Sequence, residues 1–342
     1  MAIDIFSIEP TVVSRDLNGK SFLIYGDKKS GKTSTAVKFP DPLLIAFEKG
    51  YNMLSGVMAQ PVNKWTEALT IKKQLLKDAQ EVTDGNKPKT KFRTVIVDTA
   101  DLAYNSCEEY ILQKEGASYL SDTEDKRGYK EVEKEFDRYF QDISRAGYAL
   151  VVISHSQTVQ MKEAGEKFDR TIPTVDKRGL KVLSRMVDVI AYSTSDTDEN
   201  GNTRMVLYMR GNKFLEAGSR NKYMSNKIPF TYAALRDDMA QAIDRLQKDD
   251  GATVVDEATT NVFAEQSEKL DFKETMKDIK KIAKAFKEAD MFDKYTATVE
   301  NYLGKGVFVK DCDESQVDIL GQILDDLKEI KIPEQDSEPE EN

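Results

Sequence analysis

Residues 26–33 read GDKKSGKT and follow the apolar run SFLIY at 21–25. The spacing G-x-x-x-x-G-K-[ST], set between an expected strand and an expected helix, is what a phosphate-binding loop requires. Gly26 and Gly31 let the backbone wrap an anion, so that the N–H groups of Asp27, Lys28, Lys29 and Ser30 turn inward. Lys32 is then placed to reach β- and γ-phosphates, and Thr33 offers its hydroxyl to Mg²⁺. Ser34 lies in the first turn of the helix whose positive end faces the charge. The chemistry implied is that of a nucleoside triphosphate and its divalent metal.

Such a loop needs a further acidic group for the metal, at the end of another buried strand. TVIVD at 94–98 supplies Asp98 as a second metal ligand, although an Asp there could also cap the helix that follows Thr99. LLIAFEKG at 43–50 places Glu48 after the next strand, and strands of such sheets present their carboxyl ends to the ligand. Glu48 could there orient or deprotonate a water; the plainer reading is a surface carboxylate beside Lys49. The single histidine, His155 in LVVISHSQ, also closes a strand, flanked by Ser154 and Ser156. That position suits a group that reports on a γ-phosphate, and equally suits a hydrogen-bonded structural histidine.

The elements that must hold these residues follow from the apolar pattern. Strand-length runs recur at 21–25, 43–47, 94–97, 149–154, 187–193 and 205–209, near-continuous as buried strands of a largely parallel sheet are. Helical spacing links Trp65, Ala68, Leu69, Leu75, Leu76 and Ala79, and again Val132, Phe136, Tyr139, Phe140 and Ile143. Strand–helix alternation predicts an α/β core, a mostly parallel sheet flanked by helices, over residues 1–246. A polar, aperiodic stretch at 247–269 reads as a linker. Helical spacing returns at 270–331 as a small appendage, and 332–342 reads as a disordered acidic tail.

The formal net charge is −10, and from Gly251 onward 23 acidic residues face 12 basic ones. The main body is therefore close to neutral, and the acidic balance does not exclude nucleic acid there. Cys107 and Cys312 are far apart, and one histidine leaves no set of side chains able to hold zinc. No apolar run reaches the roughly 18 residues of a membrane helix, and MAIDIFSIEP lacks the layout of a signal peptide. The expectation is a cytoplasmic protein with no membrane partner.

Taken together, the phosphate loop, a Glu after the second strand, an apolar strand ending in Asp98 and the polar Ser154–His155–Ser156 cluster resemble the RecA-like ATPase core. The segment MRGNKFLEAGSRNKYMSNKIPF at 209–230 is similar to one in small phage-encoded RecA-like ATPases, catalogued as AAA-type ATP-binding proteins and tied to single-strand annealing and recombination. The resemblance spans roughly residues 5–246. It implies ATP and Mg²⁺ as cofactors, with Lys32 and Glu48 catalytic, Thr33 and Asp98 at the metal, and His155 where such proteins more often carry an amide. It further implies Arg210, Lys213 and Arg220 as cations for the γ-phosphate, in cis or across a subunit interface of a ring or filament.

The same resemblance implies single-stranded DNA, bound after the sensor strand by Lys162, Lys167, Phe168, Arg170, Lys177, Arg178 and Lys181. Four acidic residues dilute that stretch, which could equally be a polar β-hairpin. Arg127, Tyr129 and Lys130 either help line a channel or simply lead into a helix. The function expected is an ATP-hydrolysing recombination protein that anneals or exchanges single strands. The alternative is a nucleotide-switched adaptor or loader acting on a replication protein such as a single-strand DNA-binding protein. A small-molecule kinase would want an Arg-rich lid, and none is visible.

Overall fold

A computed structural model describes residue 6 and residues 10–163, 165–197, 199–257 and 270–330. The chain divides into two compact units, Ala2–Gln266 and Ser267–Asn342. In the larger unit the strands are β1 (Val12–Ser14), β2 (Ser21–Gly26), β3 (Pro42–Ala46), β4 (Ala59–Pro61), β5 (Thr94–Asp98), β6 (Ala149–Glu163), β7 (Glu166–Pro173), β8 (Val189–Thr197), β9 (Thr203–Tyr208), β10 (Gly218–Ser219), β11 (Lys227–Pro229) and β12 (Thr253–Val255). Its helices are α1 (Lys32–Ala36), α2 (Trp65–Thr83), α3 (Ala100–Glu115), α4 (Gly128–Arg145), α5 (Lys177–Met186) and α6 (Tyr232–Asp250).

The main sheet runs β11-β9-β8-β2-β6-β5-β3-β4. From β8 to β4 every neighbour is parallel, as the apolar runs predict. The flank is not: β9, β10 and β11 pair antiparallel, and so does β7 against β6. The sheet is thus mixed. The reason is connection length, because β6 leads into β7 and β8 into β9 through links too short for a crossover helix.

Parallel strands covered on both faces bury alternate side chains in two cores. Leu23, Ile45, Val97 and Val152 face the core shared with α2, α3, α4 and α5, around Trp65, Phe136, Tyr139 and Phe140. Phe22, Ile24, Ile96 and Val151 face the other core, with Ala36 and Phe39 and with Leu235, Met239 and Ile243 of α6. Helix α1 is shorter than the phosphate loop suggests, at five residues, with Pro40 close behind. Its dipole is that of little more than one turn.

Residues 247–257, the start of the stretch expected as a linker, are ordered into the fold. Helix α6 continues to Asp250, and β12 pairs parallel with β1. The remainder of that stretch at 258–269 and the tail at 332–342 lie outside the described residues. In the smaller unit α7 (Phe272–Glu288), α8 (Phe292–Leu303) and α9 (Val317–Glu329) pack around Ile279, Phe286, Val299, Leu320 and Ile323. Among the described residues no helix is long and apolar enough to cross a membrane.

Candidate functional site

The parallel register brings the expected residues to one level. Gly26, at the end of β2, lies opposite His155 of β6 and Ser193 of β8. Asp98, ending β5, lies opposite Ala46 of β3 and Ile153 of β6. Strand β6 therefore stands between the strand that carries the loop and the strand that carries Asp98.

Around this edge the polar groups interlock. Lys32 is buried, and its Nζ donates to the carbonyl oxygens of Gly26 at 2.9 Å and Asp27 at 2.7 Å. Burial holds its pKa below the ordinary lysine value, against the pull of Asp98. The Thr33 hydroxyl donates to Asp98 Oδ2 at 2.6 Å. Burial pushes the Asp98 carboxyl above the ordinary range, which the Thr33 hydrogen bond opposes and the neighbouring Glu48 reinforces. Glu48 Oε2 lies 3.2 Å from His155 Nε2, and His155 Nδ1 is buried without a partner.

The flanking serines are engaged as well. Ser154 Oγ donates to Asp101 Oδ1 at 2.6 Å, and Ser156 Oγ to Asp27 Oδ1 at 2.7 Å. Ser30 and Ser193 share a hydrogen bond of 2.9 Å. Gly26 is required by close approach, since a Cβ there would sit 2.2 Å from the Ser193 carbonyl oxygen. Gly31, the N-cap of α1, has φ 85°, the left-handed region that glycine tolerates. Lys28, Lys29 and Ser34 are exposed. Ser193 and Asp101 were not foreseen. Ser193 ends an expected strand run, so the carboxyl-end rule would have found it.

Thr33 and Asp98 are hard oxygen donors already in contact, and the buried Asp98 carboxylate makes no ion pair among the described residues. They fit Mg²⁺. Among the described residues no group of three His, Cys, Asp or Glu side chains could hold a metal. A cation here would draw its other ligands from phosphate oxygens and water.

The remaining expected residues fall elsewhere. Arg210 donates to the carbonyl oxygen of Asn221 at 2.9 Å, bracing the turn after β10. Arg220 pairs with Asp188 at 3.2 Å and donates to the carbonyl of Arg185. Asp188 in turn holds Ser21 at the amino end of β2, so Arg220 lies at the opposite end of the sheet from the phosphate loop. Lys213 sits over the rings of Phe168 and Phe214, 5.7 and 4.9 Å from their centroids. None of the three meets the loop within this chain.

The stretch at 157–181 is a two-stranded hairpin of β6 and β7 followed by α5. Arg170 pairs with Glu216, Lys181 with Glu133, and Arg178 lies over Tyr129, 4.3 Å from the ring centroid. Phe168 packs edge-on against Phe214. Lys162 and Lys167 face each other near the tip and make no ion pair among the described residues; Lys177 makes none either. Arg127 pairs with Glu115 at the entry to α4, beside Tyr129 and Lys130.

Residues 18–221 match the family described as AAA domain. That span covers the phosphate loop, Glu48, Asp98, His155 and the hairpin. A relative is the SPbeta prophage-derived uncharacterized protein YorG of Bacillus subtilis (strain 168), 31% identical over 339 residues, covering 96% of this chain and 99% of the relative. The match covers more than half of the chain and includes the phosphate-loop sequence: the chain belongs to the AAA domain family of P-loop ATPases.

Proposed function

We propose that this chain is a Mg²⁺-dependent ATPase with a RecA-like core, that Glu48 activates the attacking water, and that single-stranded DNA is the partner its hairpin meets. Glu48 carries the reading. It follows β3 at the level of Asp98, outside the metal pair Thr33–Asp98, and rests on His155 rather than on a lysine. A carboxylate so placed can take a proton from water as the γ-phosphate is transferred. Bound Mg²⁺ would supply charge neutralisation between the β- and γ-phosphates.

Lys32 exchanges its carbonyl contacts for phosphate oxygens, and the loop amides orient them. The strand position of β6, between the loop strand and the Asp98 strand, supports the RecA-like reading. It also supports His155 as the group that senses a γ-phosphate, on the strand that continues into the hairpin. Lys162 and Lys167 at the hairpin end are the cations best placed for a DNA backbone.

A second reading, a nucleotide-switched adaptor for a replication protein, is favoured by the internal partners of Arg170, Arg178 and Lys181. ATP turnover with and without single-stranded and duplex DNA separates the two. Stimulation by single strands, abolished by Glu48→Gln, supports the first. Turnover indifferent to DNA overturns it and leaves the adaptor.

A further inference from the structure

The smaller unit has a charge distribution that its acidic total conceals. On α7 the lysines Lys273, Lys277, Lys280, Lys281, Lys284 and Lys287 are all exposed. At 3.6 residues per turn they occupy one arc of about 120°, with no acidic residue between Lys287 at one edge and Lys277. The core-facing stripe of the same helix, Thr275, Ile279 and Phe286, lies on the other side. Lys284 pairs with Glu288 at 3.6 Å, and among the described residues no ion pair is shown for the other five.

Directly beside this ridge lies a groove of about 260 Å³ between α7, α8 and the segment at 306–310. Its walls include Met276, Ile279, Phe292, Tyr295, Val299 and Phe308, with Lys280 and Lys310 on its rim. Phe308 and Phe292 are 57% and 46% exposed. Large aromatic side chains left in water beside a concave apolar surface mark an interaction site.

We propose that this groove docks an acidic amphipathic segment of a partner protein, its large apolar side chain in the groove and its carboxylates along the lysine ridge. Charge complementarity selects the occupant. Lysines set on one flank of an apolar slot match a helix or strand with Asp and Glu beside its apolar anchors. The volume holds one or two large side chains. A nucleic acid would also answer to lysines and aromatics. However, the apolar lining offers base edges few hydrogen-bond partners, and Glu300 in its wall repels phosphate. The inference stands on the smaller unit alone and does not depend on the ATPase reading.

Fluorescence anisotropy with the full-length chain tests it. The probes are a pool of labelled peptides of about 14 residues, each half Asp and Glu with Phe and Leu at i and i+4, and an oligo-dT of equal charge. The expected result is saturable peptide binding that weakens with salt. Lys280→Glu with Lys284→Glu should weaken it about tenfold or more, as should Phe308→Ala, a change at an exposed site that leaves the core intact. Replacing the Phe and Leu of the peptide by Ser should remove binding. If no peptide of the pool saturates below about 1 mM, or if these variants bind as the parent does, the proposal is overturned. Tighter binding of oligo-dT, weakened by the same lysine changes, overturns it in favour of a nucleic-acid face. ATP turnover should be the same in all variants.

Discussion

Glu48 and His155 meet at 3.2 Å across the strand that ends in Asp98. The strand β3 that leads to Glu48 and the strand β6 that carries His155 are not neighbours; β5 lies between them. Their side chains therefore meet across the end of the strand that carries Asp98. His155 stands one residue before the first hairpin pair, Ser156 opposite Pro173, because β6 runs on through Glu163. Glu48 and His155 form one hydrogen-bonded unit at this edge of the sheet.

Glu48→Gln should keep nucleotide binding and lower turnover by about 10²–10⁴-fold, the range of a lost general base. His155→Ala should lower turnover less, and should also reduce any stimulation by DNA. Single-turnover hydrolysis beside equilibrium nucleotide binding checks both. Equal turnover in Glu48→Gln and parent protein would remove the base from Glu48.

Mg²⁺ and ATP at about a hundred times their dissociation constant should stabilise the fold by about 2.7 kcal/mol. For a domain of this size that is a rise in melting temperature of roughly 5–10 °C. Lys32→Ala should lose the rise, and chelation of the metal should reduce it. Thermal melts with ATP, with ATP and chelator, and without nucleotide are the measurement.

Asp98 gives a stability prediction of the opposite sign. Its carboxyl is held above the ordinary range by burial, so the folded state binds that proton more tightly than the unfolded chain. Stability from this group is present while it is protonated and declines as pH rises from the ordinary aspartate range through the folded pKa. At neutral pH the ionised form is a cost. Asp98→Asn should therefore raise the melting temperature of the nucleotide-free protein by a few degrees, while the further rise given by Mg²⁺ and ATP shrinks. A lower melting temperature without nucleotide would show that the Thr33 contact outweighs the burial.

Gly26→Ala should destabilise by at least about 3 kcal/mol, because the added carbon would sit 2.2 Å from a backbone oxygen as well as from Ser193 Oγ. Ser193→Gly should therefore restore little of the loss. Gly31→Ala meets no atom within 4 Å but must hold φ 85°, and should cost about 1 kcal/mol. Denaturant titration of the three variants ranks them.

Lys162→Glu with Lys167→Glu should weaken single-strand binding and lower its salt slope by about one to two. Arg178→Ala and Lys181→Ala should chiefly affect stability, since these side chains already hold Tyr129 and Glu133 of α4. A binding assay over a salt series separates the pairs.

What the sequence made legible followed burial. Six apolar runs became strands, because strands covered on both faces carry little else. Glu48, Asp98 and His155 were readable because each ends such a run. The antiparallel flank was not readable, since the run at 205–208 is as apolar as the parallel runs and only the short link from β8 fixes its direction. Helix α5 was hidden because its Lys and Arg residues look like a loop, whereas in the fold they lie on α4. The lysine ridge of α7 vanished into a charge total summed over the whole tail. Pairings such as Arg170–Glu216 join residues 46 positions apart, beyond any local pattern.

Strand β6 is unbroken from Ala149, buried at the sheet's heart, to Glu163 in solvent. Moving as one piece, it would pivot near His155. From His155 to Glu163 the arm is about 26 Å at 3.3 Å per residue, so a tilt of about 5° at the base swings the tip through roughly 2 Å. On such an arm a small shift at His155 would be magnified at the far end of the hairpin.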